Sequence, residues 1–114
     1  MSTHVRSQVV GGVDIGGTKI AVGLVDSEGK VHARQDFPTD AEGGFGRAIR
    51  RVGDALRHLS QENKAEIRGI GIGSTGPVDA LLGTFGNINF MPAWEGHDPV
   101  RVLEDEFNVQ VALE

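Results

Sequence analysis

The 114-residue chain contains no cysteine, which excludes a disulfide framework and any thiolate metal site and fits a reducing compartment. It also lacks a block of basic residues. Its formal charge is −5 and its 11 Lys and Arg are scattered, so nucleic acid is not an expected partner. No apolar run approaches the ~18 residues of a membrane span. The opening stretch MSTHVRSQVV has no apolar core that could serve as a signal peptide. The expectation is a cytoplasmic protein with no membrane partner. His4, His32, His58 and His97 are dispersed along the chain, so a histidine metal cluster is not expected either.

What the chain has in excess is glycine: 17 residues, about twice the usual share of roughly 7%. Its length suits one domain with one core. Val9 to Asp14 reads as a buried strand. In KIAVGLVD, Ile20, Val22 and Leu24 alternate with small residues as a second strand, and DSEG (26–29) is a turn. In KVHARQDF, Val31, Ala33 and Phe37 alternate with His32, Arg34 and Asp36 as a half-exposed third strand. The opening is therefore an antiparallel three-strand meander.

Thr39 and Glu42 have capping-box spacing ahead of a helix whose apolar stripe is Phe45, Ile49, Val52, Leu56 and Leu59. EIRGIGIG (66–73) reads as a central strand ending in the loop Ser74-Thr75-Gly76-Pro77. VDALLGTFGNINF reads as a hairpin or short excursion, with turns at Gly83 and Gly86. Asp98-Pro99 starts a second helix with Val100, Leu103 and Phe107 inside, and Val109, Val111 and Leu113 alternate as a last strand. Helix crossovers make strands parallel, so the expected class is α/β with a mixed sheet.

In such a sheet the C-terminal ends of the parallel strands share the edge where ligands bind. Asp14, the 74–77 loop and the residue after Glu114 would then be neighbours. Gly16 and Gly17 would let backbone N–H groups approach an anion, Thr18 adds a hydroxyl, and Asp14 can hold Mg²⁺ through water. A second reading stays open at this point, in which the glycines only close a tight hairpin and Asp14 caps it. The spacing matches neither of the better-known phosphate loops, G-x-x-x-x-G-K-[ST] and G-x-G-x-x-G.

VDIGGTKIAVGLVD resembles the phosphate-1 segment of the sugar kinase, Hsp70 and actin superfamily, and specifically that of the ROK family (repressors, open reading frames, kinases). GIGIGSTGPVD and NINFMPAWEGHDPV are similar to further ROK segments in the same order. The resemblance implies a ribonuclease H-like, actin-like ATPase domain over residues 1–114, the N-terminal lobe of a two-lobed kinase. It implies ATP and Mg²⁺ as cofactors, with Asp14, Gly16, Gly17 and Thr18 on the phosphates and metal, and Lys19 matching the motif without an assigned role. It places Gly76, Pro77 and Asn89 beside a hexose or N-acetylhexosamine, and it implies a homodimeric parent. Trp94 is read as a plug over the core rather than a sugar contact, and Glu95 and His97 as solvated.

The chain departs from the family pattern in two small ways. Thr75 stands where many relatives have Pro, and one extra residue precedes Trp94. In the family the strand resembling VQVALE is followed by Asn-Asp, whose Asp is the catalytic base, and this sequence reaches only Glu114. No catalytic residue is therefore assigned, and the chain alone is expected to be inactive. The family's second lobe and zinc motif lie outside it. Only 13 residues precede Asp14, too few for the winged helix of the family's repressors. The expected function is thus the N-terminal lobe of an ATP-dependent hexose kinase, glucokinase or N-acetylhexosamine kinase. A sugar-sensing regulator and a non-catalytic binding half-domain are the alternatives.

Overall fold

The computed structural model describes residues 7–74, 78–86 and 94–114. Its elements follow the sequence pattern closely: β1 (Ser7–Ile15), β2 (Lys19–Val25), β3 (Val31–Pro38), α1 (Phe45–Glu62), β4 (Ala65–Ser74), β5 (Val78–Asp79), β6 (Thr84–Phe85), α2 (Pro99–Phe107) and β7 (Gln110–Leu113). Five strands form one sheet in the order β3-β2-β1-β4-β7. β1 pairs antiparallel with β2 and β2 with β3, while β4 runs parallel to both β1 and β7. The meander and the two helix crossovers expected from the sequence are therefore present, and the sheet is mixed.

The core lies on one face of this sheet. Val9, Val13, Ile15, Ile20, Val22, Leu24, Ile70, Ile72, Val111 and Leu113 are buried there. They pack with Ala48, Ile49, Val52, Ala55, Leu56 and Leu59 of α1 and Leu103 of α2. Gly11 permits the close approach of α1, since a methyl group at its Cα would lie 2.9 Å from Leu56 Cδ2. The opposite face carries Val10, Gly12, Asp14, Ala21, Gly23, Gly71 and Gly73, which are exposed or half-buried. β1 is thus buried on alternate residues only, not throughout as its composition suggested. In a strand whose side chains alternate, burial on both faces needs a second covering layer.

Two local readings change. Val31 is 55% exposed rather than on the inner face of β3. The ladder shifts between Leu24 and Val25, pairing Leu24 with Ala33 but Val25 with Val31. This irregularity moves Val31 to the outer face. The capping box is also absent: α1 begins at Phe45 with Gly44 as its N-cap and no side-chain cap, after a short 3₁₀ turn at Ala41–Gly43. α2 keeps its expected start, with Pro99 in the first turn and the Asp98 carboxylate accepting from Arg101 N–H at 2.9 Å.

An aromatic cluster fixes the start of α1. Phe45, Phe85 and Trp94 meet edge to face at centroid distances of 5.6 to 5.9 Å. Trp94 is buried and donates from Nε1 to Ala41 O at 3.3 Å, so it plugs the core as expected. Glu95 and His97 are exposed, although His97 also stacks on Phe45.

Candidate phosphate site at the sheet edge

β1, β4 and β7 end together. Asp14 pairs with Gly73 and Ile15 with Ser74. Ser74 N–H donates to Glu114 O at 3.0 Å, and Glu114 N–H to Ile72 O at 2.8 Å. β3 runs in the same sense as β1, because each is antiparallel to β2, so Pro38, Thr39 and the start of α1 lie at this edge too. Of the expected neighbourhood, Asp14 and Ser74 are brought together, and Glu114 reaches the same edge. Gly76, Pro77 and Asn89, the expected sugar-side residues, lie outside the described residues.

At the tip of the β1–β2 hairpin the two glycines do different things. Gly16 N–H donates to Lys19 O at 2.9 Å and closes the hairpin. A Cβ on Gly16 would stand 2.9 Å from that same Lys19 oxygen, so no larger residue fits without backbone movement. Gly17 is half-buried and Thr18 exposed, and among the described residues neither N–H has a hydrogen-bond acceptor. Asp14 is exposed beside them. The turn thus offers backbone donors next to a carboxylate, the arrangement that suits a phosphate with its magnesium ion. Ser74 Oγ is buried at the same edge without a partner among the described residues. It is one more polar atom there for a ligand or water to satisfy.

A charged group borders the turn on the outer face of the sheet. Asp14, Ala21 and Asp36 form a row across β1, β2 and β3. Arg34 donates from Nε to Asp36 Oδ1 at 2.9 Å and from its second nitrogen to Oδ2 at 3.3 Å, and Lys19 Nζ lies 3.4 Å from Asp36. The Arg34 hydrogen bond, with Lys19 adding to it, holds the Asp36 carboxyl below the usual carboxylate range. Asp36, and then Asp14, push the Arg34 guanidinium upward. Asp14 and Arg34 line one groove of about 330 Å³ floored by Gly12, Ala21, Gly23 and Gly71. Lys19 and Arg34 balance Asp36 and Asp14, so the group is neutral in a chain whose formal charge is −5. A neutral patch repels an anion less than the rest of this acidic chain does.

Three other acids, Asp26, Asp79 and Asp98, are committed elsewhere. Asp26 accepts from Glu28 and Lys30 N–H and pairs with His32 at 2.6 Å in the β2–β3 turn, at the opposite end of the sheet. Asp79 caps Leu81 and Leu82 N–H, and Asp98 caps α2. Among the described residues no three His, Asp or Glu side chains converge as a metal site. A cation at Asp14 would take its remaining ligands from phosphate and water.

Thr39, expected as a helix cap, instead holds the Thr18 and Gly16 carbonyls from below the turn with its N–H and hydroxyl. Nothing local in the sequence signals these contacts, since they span about twenty residues between two strand ends.

Residues 10–114 match the ROK family model. The glucokinase of Thermotoga maritima is 35% identical over 103 residues, which cover 90% of this chain and 32% of that protein. An N-acetylmannosamine kinase of Salmonella paratyphi B is 36% identical over 66 residues, 58% of this chain and 21% of that protein. A ROK glucokinase from Streptomyces griseus, solved in complex with glucose and AMPPNP, superposes with a TM-score of 0.79. Its identity is 27%, over 93% of this chain and 32% of that one. The chain thus spans about a third of the length of the glucokinases it matches. With its motif at the sheet edge, its strand order and this match over nearly its whole length, the chain belongs to the ROK family and has the actin-like ATPase fold.

Proposed function

We propose that residues 1–114 form the N-terminal, phosphate-facing lobe of an ATP-dependent hexose kinase of the glucokinase or N-acetylhexosamine kinase type. The observation that carries this reading is the juxtaposition of Asp14 with the free donors of the Gly17-Thr18 turn at the ends of β1, β4 and β7. The kinases among its relatives, one of them solved with AMPPNP, support ATP as the phosphoryl donor.

In this reading Gly17 N–H, Thr18 N–H and the Thr18 hydroxyl take phosphate oxygens, and Lys19 and Arg34, paired with Asp36, balance the nearby carboxylates. Asp14 would hold Mg²⁺ through water, and the ion's chemistry is to neutralise charge on the transferring phosphates. By family resemblance Gly76, Pro77 and Asn89 border the sugar. An amide such as Asn89 can both donate to and accept from adjacent hydroxyls, and a wrong sugar would leave it unpaired. By family resemblance the base on the sugar hydroxyl would follow β7, and none of the described acids is assigned that role.

The test is made on native-source protein whose intact mass shows chain beyond these 114 residues: hexose-dependent ADP release with MgATP and a panel including glucose and N-acetylmannosamine. Turnover with at least one sugar is expected. No turnover with any of them would refute the kinase reading.

A further inference from the structure

Thr39 is the buried polar residue among the described residues, fully shielded from solvent, and nothing in the phosphate reading above uses it. It directly follows β3 and sits under the tip of the β1–β2 hairpin. Its N–H donates to Thr18 O at 2.9 Å, and its Oγ1 donates to Gly16 O at 2.7 Å. In a closed four-residue turn Gly16 O would accept from Lys19 N–H. Among the described residues that bond is not made, and the Thr39 hydroxyl takes its place.

The consequence follows from peptide geometry. A trans peptide unit points its C=O and its N–H in opposite directions. No cis peptide occurs among the described residues. Drawing Gly16 O inward to a buried hydroxyl therefore turns Gly17 N–H outward, and no described group accepts it. Valine would fill much the same volume but could not hold the carbonyl, so the hydroxyl is what sets the direction of this peptide.

We propose that Thr39 is a positioning residue for phosphate binding: its hydroxyl locks the Gly16–Gly17 peptide with Gly17 N–H facing the phosphoryl oxygens. This rests on the reading of the sheet edge as a phosphate site. A donor aimed before the ligand arrives avoids the cost of ordering it at the moment of binding.

The experiment uses the ¹⁵N-labelled 114-residue chain, wild type, Thr39→Val and Thr39→Ser, titrated with inorganic tripolyphosphate and Mg²⁺. In the wild type the Gly17 amide should exchange freely with solvent without the probe and shift strongly with it. Losing a hydrogen bond to a charged group should weaken binding by folded Thr39→Val about 10- to 100-fold. Thr39→Ser, which keeps the oxygen, should restore it. A purely structural Thr39 predicts lower stability with unchanged affinity of the folded fraction, and that result would overturn the proposal. So would a Gly17 amide protected in the free wild type. If Thr39→Val does not fold, the wild-type Gly17 exchange and shift and the Thr39→Ser affinity decide the matter. A wild type that ignores the probe altogether refutes the phosphate reading itself, whereas a wild type that binds beside an equally tight Thr39→Val refutes the role of Thr39 alone.

Discussion

Gly16 has no room for a methyl group, because its Cβ would meet the backbone oxygen of Lys19. Backbone cannot yield as a side-chain end can, so Gly16→Ala should destabilise the chain by about 1–3 kcal/mol, read from the urea midpoint. Asp14 behaves oppositely. It is exposed and makes no described hydrogen bond or ion pair, so Asp14→Asn should leave stability within ~0.5 kcal/mol while abolishing the Mg²⁺ dependence of nucleotide binding. Calorimetric titration with and without Mg²⁺ checks this.

The pH dependence also belongs to single residues. Asp36 is held low by Arg34 and Asp26 by His32. Each contributes stability that is full above the unfolded carboxylate value of ~3.9 and is lost as pH falls through the lower folded value. The urea midpoint should therefore fall on acidification over this range. Asp36→Asn should flatten that limb, and an unchanged slope would show that the pair contributes nothing measurable.

Among the elements, α1 depends on the aromatic cluster at its start more than on a cap. Phe45→Ala should cost about 3–5 kcal/mol and red-shift the emission of the buried Trp94, whereas exposed Arg50→Ala should stay within ~0.5 kcal/mol. Both are measured by urea unfolding followed by far-UV circular dichroism and fluorescence. Element types were legible in the sequence because period-two runs such as Ile20, Val22, Leu24 and the helical stripe from Phe45 to Leu59 report burial directly. The start of α2 was legible because its cap is local. The cap misread at Thr39 and the displaced Val31 were not legible, because each depends on a partner strand: the first on carbonyls of the β1–β2 turn, the second on a ladder irregularity. The site was legible in the same measure. Asp14 to Lys19 are contiguous and could be read together, but their supports, Thr39, Arg34 and Asp36, reach them only through the sheet.

At the scale of the whole molecule, this lobe forms one wall of the cleft in the proposed reaction. Phosphoryl transfer needs donor, metal and acceptor held together, so one wall should not support it. The 114-residue chain by itself should give no hexose-dependent ADP release above background in a coupled assay, even where it binds nucleotide. The central claim is that the C-terminal edge of the sheet is the phosphate site. Its most direct test is the map of amide shift changes when MgAMPPNP is added to the 114-residue chain. Changes should concentrate at Asp14 to Lys19, Thr39 and Ser74. Changes centred elsewhere, for instance along α2 and the β5–β6 hairpin, or none at saturating nucleotide, would contradict it.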